Sequence, residues 1–396
     1  MIFSFERRIL AWIHEHILLV AVVAATIISL LIRYTLRYFV SLDASICLLP
    51  WYDQIKANGG VLGLGIPVDE CNYNFPYLVL IAIMTYIPIE SLFAYKIVSC
   101  LFDYLLAFIV SKIVGFLTDS DKKAMALSYI VTIISPVVFI NSAAWAQCDA
   151  IYCFFIMWSI YLLLQEKELP AFIVYGFAFA FKFQSIFVLP FYLFYYVYKK
   201  KFSIIYFLTL PIPMIVLSLP ALLQGRTIAE MISINIGNTS YYPNMALNYP
   251  SFWNILNAGE SIDSYDSLKN GAILLVVVVL GTMFTLFLSK KVILEKKAYI
   301  YIAFISTYAA VLLLPSMHER YGFLYEIFAI VIVFMIPKTF LLLVGLIGMS
   351  LTTYGSFLYY ARYDTLLLSV VNVAIFGAYC IIIYKEIFEE KKDKVS

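Results

Sequence analysis

Long apolar runs recur along almost the whole chain and constrain its fold more than any other feature. A helix crosses the hydrocarbon core of a bilayer with about 20 apolar residues. Of the 396 residues, 63% are hydrophobic and only 13% are charged, which is too little charge to cover the surface of a soluble domain. The chain is therefore predicted to be an all-α, polytopic membrane protein.

Twelve apolar segments are predicted to span the membrane, with both termini on the cytoplasmic side. The predicted spans are 17–40, 91–116, 124–140, 150–164, 170–182, 184–198, 202–222, 271–289, 298–315, 321–337, 339–357 and 365–384. The run 75–90 is short and bounded by proline, so it is predicted to be a re-entrant or interfacial helix.

Charge and irregular sequence divide between the two faces of this layout. Most of the 27 Lys and Arg residues fall in the predicted inner segments, as the positive-inside rule requires. The outer face carries two long loops, 41–90 and 223–270. The chain is accordingly divided into a transmembrane module 1–222, the second outer loop, and a C-terminal part 271–396. Irregular sequence concentrated on one face predicts that the protein works there.

The first candidate functional residue is Asp43, in "SLDASICLLP", where the first predicted span ends. A carboxylate at this boundary can take a proton from a substrate hydroxyl. The alternative is an ordinary loop acid that marks the end of a span. Arg33 and Arg37, in the last turns of that span, are predicted to extend their charged groups to lipid phosphates.

A second candidate is the turn "WAQCD", Trp145–Asp149, between the third and fourth predicted spans. Gln147 and Asp149 can bind sugar hydroxyls, and the face of the Trp145 indole can pack on a sugar ring. An ordinary polar turn is equally compatible with these residues, because Trp is common at membrane interfaces.

A third candidate is "LLLPSMHERYGF", which compresses His318, Glu319 and Arg320 between two apolar spans. Charge at this depth is costly without a charged partner. Arg320 can bind a phosphate through two N–H groups, and His318 can donate to its oxygens. The alternative is an internal Glu319–Arg320 pair at a helix end.

A fourth candidate is Lys182, with Gln184, in "FAFAFKFQSIFVLP". A lysine among phenylalanines is expensive unless it faces a cavity or an anion, although its long stem can also carry the ammonium group to the interface. Cys47 and Cys71 fall in the same predicted outer loop, where they could form a disulfide or remain free thiols.

Taken together, these segments resemble the GT-C superfamily of polytopic glycosyltransferases. The likeness rests on "SLDASICLLPWYDQIKANGG", "SPVVFINSAAWAQCDAIY", "FAFAFKFQSIFVLPF" and "LLPSMHERYGF". It is strongest to bacterial transferases that use lipid-phosphate sugars, and more distant to the eukaryotic dolichyl-phosphate-glucose and -mannose enzymes. The first seven predicted spans are similar to the common module of that superfamily.

The resemblance implies an inverting transfer of a sugar from a polyprenyl-phosphate donor to an envelope glycan or a lipid-linked acceptor. It implies that Asp43 is the catalytic base and that His318, Glu319 and Arg320 lie near the donor phosphate, where Lys182 is also predicted. The site would face the extracytoplasmic side of the plasma membrane, among membrane lipids. The chain has no glycine-rich nucleotide cradle, and neither a cofactor nor a nucleic-acid partner is expected.

A multi-pass secondary transporter, or a flippase-type carrier of lipids or sugars, is the alternative from another class. Twelve spans are also typical of transporters, and the intramembrane residues Lys96, Asp103 and Glu326 would suit a transport path. Transporters usually carry an internal repeat, and no repeat is visible between the two halves of this chain. That absence and the two large outer loops favour the enzyme.

Overall fold

The computed structural model describes residues 3–238, 242–256, 262–289 and 294–388. Within these residues the fold is a bundle of helices with a single pair of very short strands. The helices are α1 (Ser4–Glu15), α2 (Ile17–Thr35), α3 (Leu49–Ala57), α4 (Phe75–Met84), α5 (Ser91–Leu117), α6 (Lys122–Ile134), α7 (Pro136–Phe139), α8 (Asp149–Leu164), α9 (Glu168–Phe181), α10 (Leu189–Lys199), α11 (Pro211–Leu223), α12 (Ile228–Asn238), α13 (Phe252–Ile255), α14 (Ile262–Ser289), α15 (Lys296–Leu313), α16 (Phe323–Met335), α17 (Phe340–Tyr359) and α18 (Thr365–Phe388). Strands β1 (Ala246–Leu247) and β2 (Met317–His318) pair in parallel.

Seven helical segments in this described part are long and apolar enough to cross a membrane. They are Ile17–Thr35, Ser91–Leu117, Ile204–Leu223, Tyr265–Ser289, Lys296–Leu313, Pro337–Tyr359 and Thr365–Phe388. The segment from α6 to Ala144 makes an eighth if its 44° bend lies within one span. The protein is therefore an all-α protein with the helices of a membrane-embedded bundle.

The remaining predicted spans correspond to shorter apolar helices. Helices α8, α9 and α16 have 16, 14 and 13 residues, and 184–198 consists of a 3₁₀ turn followed by α10. At 1.5 Å per residue α8, α9 and α16 are roughly 20–24 Å long, so the count of twelve spans stays a prediction. Helix α4 has ten residues, about 15 Å, and is too short to cross a bilayer.

The second predicted outer loop, 223–270, is more helical than the sequence suggested. Helix α12 lies within it, and α14 already begins at Ile262, so 262–270 is helical. That the segment lies outside the membrane stays a prediction. The polar start of α14 is compatible with a helix because Lys269 pairs with Asp266 one turn earlier, at 3.0 Å. The helix extends beyond its apolar segment, which begins near Tyr265.

Residues 41–90, here called the cap, contribute most of a second hydrophobic cluster, which they share with neighbouring helices. Trp51, Tyr52, Phe75 and Ile81 are buried in this core, from α3 and α4. The same cluster includes Ala146 and Cys148 of the turn before α8. Burial of this apolar surface fixes the cap on that turn. Cys47 and Cys71 are both free thiols.

The main core runs along most of the helices of the bundle. Helix α8 packs against α5 and α9, and α15 packs against α16 and α18. Helix α15 is buried along nearly its whole length. The chain order places the C-terminal ends of α2, α9 and α15 beside the N-terminal ends of α8 and α16, and this meeting point is here called the site end.

One buried ion pair corrects a prediction for the first span. Arg33 does not reach lipid phosphates: its side chain is 5% exposed and Nη2 lies 2.7 Å from Oδ2 of Asp103 in α5. The partner is 70 residues away in sequence, so local sequence alone could not show it. Arg37 is partly exposed and lies over the rings of Tyr34 and Tyr38, and its reach to lipid phosphates stays a prediction.

Candidate functional site

Lys96 stabilises the conformation of the segment that follows α2. The Lys96 ammonium group donates to the backbone oxygens of Leu36, Arg37 and Phe39, at 2.8, 3.2 and 2.6 Å. The last carbonyls of a helix lack partners within it, and a cation at this end also complements the helix dipole. Lys96 therefore fixes the segment that leads into Asp43.

A serine then attaches this segment to the turn before α8. The Ser41 hydroxyl donates to the backbone oxygen of Trp145 at 3.0 Å and accepts from the backbone N–H of Ala44 at 3.2 Å. Asp43 lies between these two residues in sequence, directly before a π-helical turn, Ala44–Leu48. The result is that Asp43 faces the Trp145–Asp149 turn.

The Trp145–Asp149 turn has an irregular backbone that directs its side chains toward the cap. A π-helical segment, Ile140–Ala144, follows α7, and the Trp145 N–H donates five residues back to Ile140 at 2.9 Å. Ala146 then adopts a left-handed backbone with φ of 61°. Such π-helical turns are frequent at functional sites, and here this one lets Trp145 and Gln147 both reach Asp43.

The Asp43 carboxylate is held through only one of its two oxygens, Oδ2. Oδ2 accepts from Trp145 Nε1 at 2.9 Å and from Gln147 Nε2 at 2.7 Å, and it lies 3.6 Å from Nη1 of Arg320. None of the hydrogen bonds between described residues goes to Oδ1, and the side chain is 23% exposed. Asp43 therefore has a fixed orientation and an oxygen that is open to a ligand.

Asp149, the first residue of α8, forms the second carboxylate of the site. One of its oxygens pairs with the Lys182 ammonium group, and the other accepts from Asn141 Nδ2 at 2.8 Å. Both members of the ion pair are almost fully buried. Lys182 occupies this position because α9 ends there, where the backbone turns to an extended conformation. Its charge is thus balanced by Asp149.

Arg320 joins the two carboxylates. Its Nη1 donates to Glu319 Oε1 at 3.0 Å, and its Nε lies 3.8 Å from Asp149 Oδ2. The guanidinium carbon lies 5.4 Å from the centre of the Trp145 ring, a cation–π distance. The Nε atom is buried without a hydrogen-bond partner. These long contacts to Asp43 and Asp149 leave donors of Arg320 available to a ligand.

Burial sets the charge of the residues beside Arg320. Burial lowers the pKa of His318 to about 3, with Arg320 and Lys182 adding to the effect, so the imidazole is neutral near pH 7. Burial raises the pKa of Glu319, and the charge of Asp43 adds to this, while Arg320 opposes it. The Glu319 carboxylate is fully buried and its Oε2 has no hydrogen-bond partner.

The second outer loop reaches this cluster through β1. His318 pairs with Leu247 in the short parallel ladder, and the Tyr242 ring meets the imidazole edge-on with centroids 4.9 Å apart. Ser316 has a left-handed backbone with φ of 62° and donates through its hydroxyl to the Tyr242 oxygen at 2.8 Å. The segment around β1 therefore forms one wall of the site.

The structure brings together most of the predicted site residues. The residues in direct contact are Asp43, Trp145, Gln147, Asp149, Lys182, Glu319 and Arg320. His318 borders them, with Nδ1 3.9 Å from Glu319 Oε2. Gln184 contacts a different residue, because its Nε2 donates to the Tyr321 hydroxyl at 2.8 Å.

Three of the residues predicted to contact a sugar are buried in the structure. The Trp145 indole is fully buried, since Phe357 stacks on it at 4.7 Å and Tyr354 meets it edge-on at 5.1 Å. Gln147 and Asp149 are 3% and 1% exposed, and both are engaged by protein groups. Contact of these residues with a sugar therefore stays a prediction, while Trp145 and Gln147 both donate to the Asp43 carboxylate.

Sequence reasoning missed two polar residues of the site. Asn141 donates to Asp149, and the Tyr73 hydroxyl of the cap donates to Gln147 Oε1 at 3.4 Å. Asn141 gave a signal, because an amide in the apolar run before Trp145 needs a partner. Tyr73 is one of 32 tyrosines and gave none.

The residues of this site can act as a base and as a cationic binding surface. No protein-family model matches the chain, and no curated protein matches it. Within the described ranges, no group of three His, Cys, Asp or Glu residues is placed to hold a metal ion. A proposed function has to explain this combination: an open oxygen of the Asp43 carboxylate beside Arg320, with the neutral imidazole of His318 nearby.

Proposed function

We propose that this protein is a membrane glycosyltransferase of the GT-C type. It transfers a sugar from a polyprenyl-phosphate donor to an extracytoplasmic glycan or a lipid-linked acceptor, at the plasma membrane. The observation that carries the proposal is the Asp43 carboxylate, which is fixed through Oδ2, open at Oδ1 and 3.6 Å from Arg320. A base beside a phosphate-binding cation is what a single displacement on a phosphate-linked sugar needs.

The reaction starts with Asp43. Oδ1 removes the proton from the acceptor hydroxyl while the acceptor oxygen attacks the anomeric carbon of the donor. The bond between that carbon and the phosphate oxygen breaks, and its electron pair stays on the lipid phosphate. Because attack and departure occur on opposite faces of the sugar, the anomeric configuration is inverted. The hydrogen bonds from Trp145 and Gln147 keep the carboxylate in position.

The leaving phosphate gains negative charge, which the cations of the site stabilise. Arg320 offers the Nε and Nη donors that its long contacts to Asp43 and Asp149 leave available. The neutral His318 donates one ring N–H to a phosphate oxygen. Lys182 acts from deeper in the site through its charge, because its ammonium group stays on Asp149.

The proposal also includes the arrangement in the membrane. The site lies on the extracytoplasmic face, both termini are cytoplasmic, and the shorter helices α8, α9, α10 and α16 complete a bundle of twelve spans. Two contacts of intramembrane charges speak against the alternative of a transporter. Asp103 is paired with Arg33, and Lys96 is bound to three backbone oxygens. Both residues are engaged in holding helices together rather than in lining a path.

The test is transfer of labelled sugar from a panel of undecaprenyl-phosphate sugars by the purified protein in nanodiscs, with cell-envelope extract as the source of acceptor. Asp43→Asn is expected to lower turnover by about 10²–10⁴-fold, the usual contribution of a general base, and to keep donor binding. Asparagine retains an oxygen that can accept from Trp145 and Gln147, so the variant is expected to fold.

Asp53→Asn is the matched control, because Asp53 is an exposed acid of the same cap. It is expected to turn over like the wild type. Equal turnover in both variants would move the base away from Asp43. An absence of transfer and of binding with every donor would contradict the proposed function.

A further inference from the structure

Glu319 is a buried carboxylate that shares its cation with the base. Its Oε1 accepts from Nη1 of Arg320 at 3.0 Å, and the same nitrogen lies 3.6 Å from Oδ2 of Asp43. Its Oε2 has no hydrogen-bond partner, and His318 Nδ1 lies 3.9 Å from it. A buried carboxylate with one donor and one unpartnered oxygen is costly to keep charged.

The charges around Glu319 compensate its negative charge only in part in the resting site. The cap contributes Asp43, α8 contributes Asp149, and the end of α9 contributes Lys182, while Arg320 and the neutral His318 are neighbours in sequence. From α17, Thr353 contributes only a hydroxyl, which donates to the Glu319 backbone oxygen. With Glu319 charged, carboxylates outnumber cations, and a lipid phosphodiester would add a further negative charge.

We infer that Glu319 takes up a proton when the phosphodiester donor binds, which frees Arg320 to contact the phosphate. This inference rests on the proposed function, because it concerns the donor of that reaction. Once Glu319 is neutral, its hydrogen bond with Nη1 of Arg320 weakens, and the guanidinium can direct its donors to the phosphate oxygens. The proton is released again when the lipid phosphate product leaves.

The other acids of the site are less suited to this role. Asp149 accepts from Lys182 and Asn141, and Asp43 accepts from Trp145 and Gln147. Each of these carboxylates accepts from two donors, whereas the Glu319 carboxylate accepts from one, Nη1 of Arg320. Burial already raises the pKa of Glu319 in the absence of a donor, and a phosphate nearby raises it further.

A protonated His318 would be the other way to admit an anion. Its proton would face Arg320 and Lys182, the two cations that lower the pKa of this imidazole. A neutral His318 can still donate one N–H to the phosphate. Variants distinguish the two candidate proton acceptors, Glu319 and His318, because Glu319→Gln removes only one of them.

The experiment measures binding of farnesyl-phosphate glucose, mannose and galactose to the full chain in nanodiscs between pH 5 and 9. These phosphodiesters keep a single charge across that range, so a change in affinity reports on the protein. For the wild type, the dissociation constant is expected to rise about tenfold per pH unit above the pKa of Glu319 in the free site. Glu319→Gln, which is always neutral, is expected to bind with an affinity that does not change with pH.

Calorimetry in buffers of different ionisation enthalpy tests the inference without a variant. Uptake of close to one proton per bound donor by the wild type is expected in the range where affinity falls. Zero uptake would overturn the inference even if Glu319→Gln failed to fold. His318→Gln is expected to keep the pH dependence of binding, and loss of the dependence in that variant would also overturn it.

The outcomes distinguish the inference from the proposed function. Transfer of sugar together with pH-independent binding contradicts the role of Glu319 and leaves the enzyme. An absence of donor binding by the wild type at every pH contradicts the proposed function, and the inference with it.

Discussion

Two arginines that are largely withdrawn from solvent, Arg33 and Arg320, have very different surroundings. Arg33 joins α2 to α5, and Arg320 precedes α16 at the site end. Both are paired with acids and both are largely withdrawn from solvent. They differ in how completely the protein uses their donors: every nitrogen of Arg33 is engaged by a protein group, whereas the proposed function assigns donors of Arg320 to a ligand.

The guanidinium of Arg33 is saturated by protein oxygens. Its Nε and Nη2 donate to Asp103 at 3.1 and 2.7 Å, and its Nη1 donates to the backbone oxygen of Ile133 at 3.1 Å and to the Ser29 hydroxyl. Ser142 donates to the same carboxylate oxygen of Asp103. The cluster joins α2, α5, α6 and the π-helical segment, and it leaves no nitrogen of Arg33 for a ligand.

The guanidinium of Arg320 has a single hydrogen bond, to Glu319. Its contacts to Asp43 and Asp149 are 3.6 and 3.8 Å long, beyond hydrogen-bond distance. Its Nε is buried and unpartnered. An unpartnered donor beside two carboxylates at long range is stable only if something else completes its environment, and a phosphate would do so.

Replacing Arg33 is expected to give the largest effect on stability. Arg33→Met leaves Asp103 buried without its cation, which should lower the free energy of unfolding by about 3–5 kcal/mol. Turnover per folded molecule should stay close to that of the wild type. Both are measured on purified protein in nanodiscs, by chemical unfolding and by sugar transfer.

The double variant Arg33→Met with Asp103→Asn is the control, because it removes both charges. It should recover at least half of the lost stability. If the single variant were as stable as the wild type, Arg33 would not hold the fold.

Replacing Arg320 is expected to have the opposite outcome, a large loss of sugar transfer with a smaller loss of stability. Arg320→Met should lower sugar transfer by about 10²–10³-fold, which is typical for the loss of a group that stabilises transition-state charge. Its cost in stability should be smaller than that of Arg33→Met, since it breaks one hydrogen bond rather than a saturated network. A variant that unfolds more readily than Arg33→Met but retains transfer would refute the comparison.

The smallest effect is expected from a change that sharpens the role of Asp43. Trp145→Phe removes the Nε1 donor to Asp43 and keeps an aromatic ring against Phe357. Turnover should fall by about tenfold, the equivalent of about 1.4 kcal/mol, and the KM for the donor should change little. A change in KM alone would mean that Trp145 binds substrate after all. Tyr354→Phe, which keeps the ring that packs on Trp145, is the control.

Part of this architecture was predictable from the sequence. Asp43, Asp149, Lys182 and Arg320 are charges next to apolar runs, and charge in such places needs partners, so their meeting could be expected. Helices such as α5 and α18 follow directly from the length of their apolar segments.

The partners of buried groups could not be predicted in the same way. Arg33 finds Asp103 70 residues away, and Trp145 is covered by Phe357 from a helix late in the chain. Both are consequences of tertiary packing, which periodicity does not encode. The start of α14 was missed because its first turns are polar, and polar residues in a helix that extends beyond the apolar segment resemble a loop.

The most direct test of the central claim is a cryo-EM structure of the protein bound to a polyprenyl-phosphate sugar. The account predicts a phosphate within hydrogen-bond distance of the Arg320 guanidinium, with the anomeric carbon of the sugar on the side of Asp43 Oδ1. Arg33 and Asp103 should be unchanged. A lipid phosphate bound away from Arg320, or a sugar that lies between helices and out of reach of Asp43, would contradict the account.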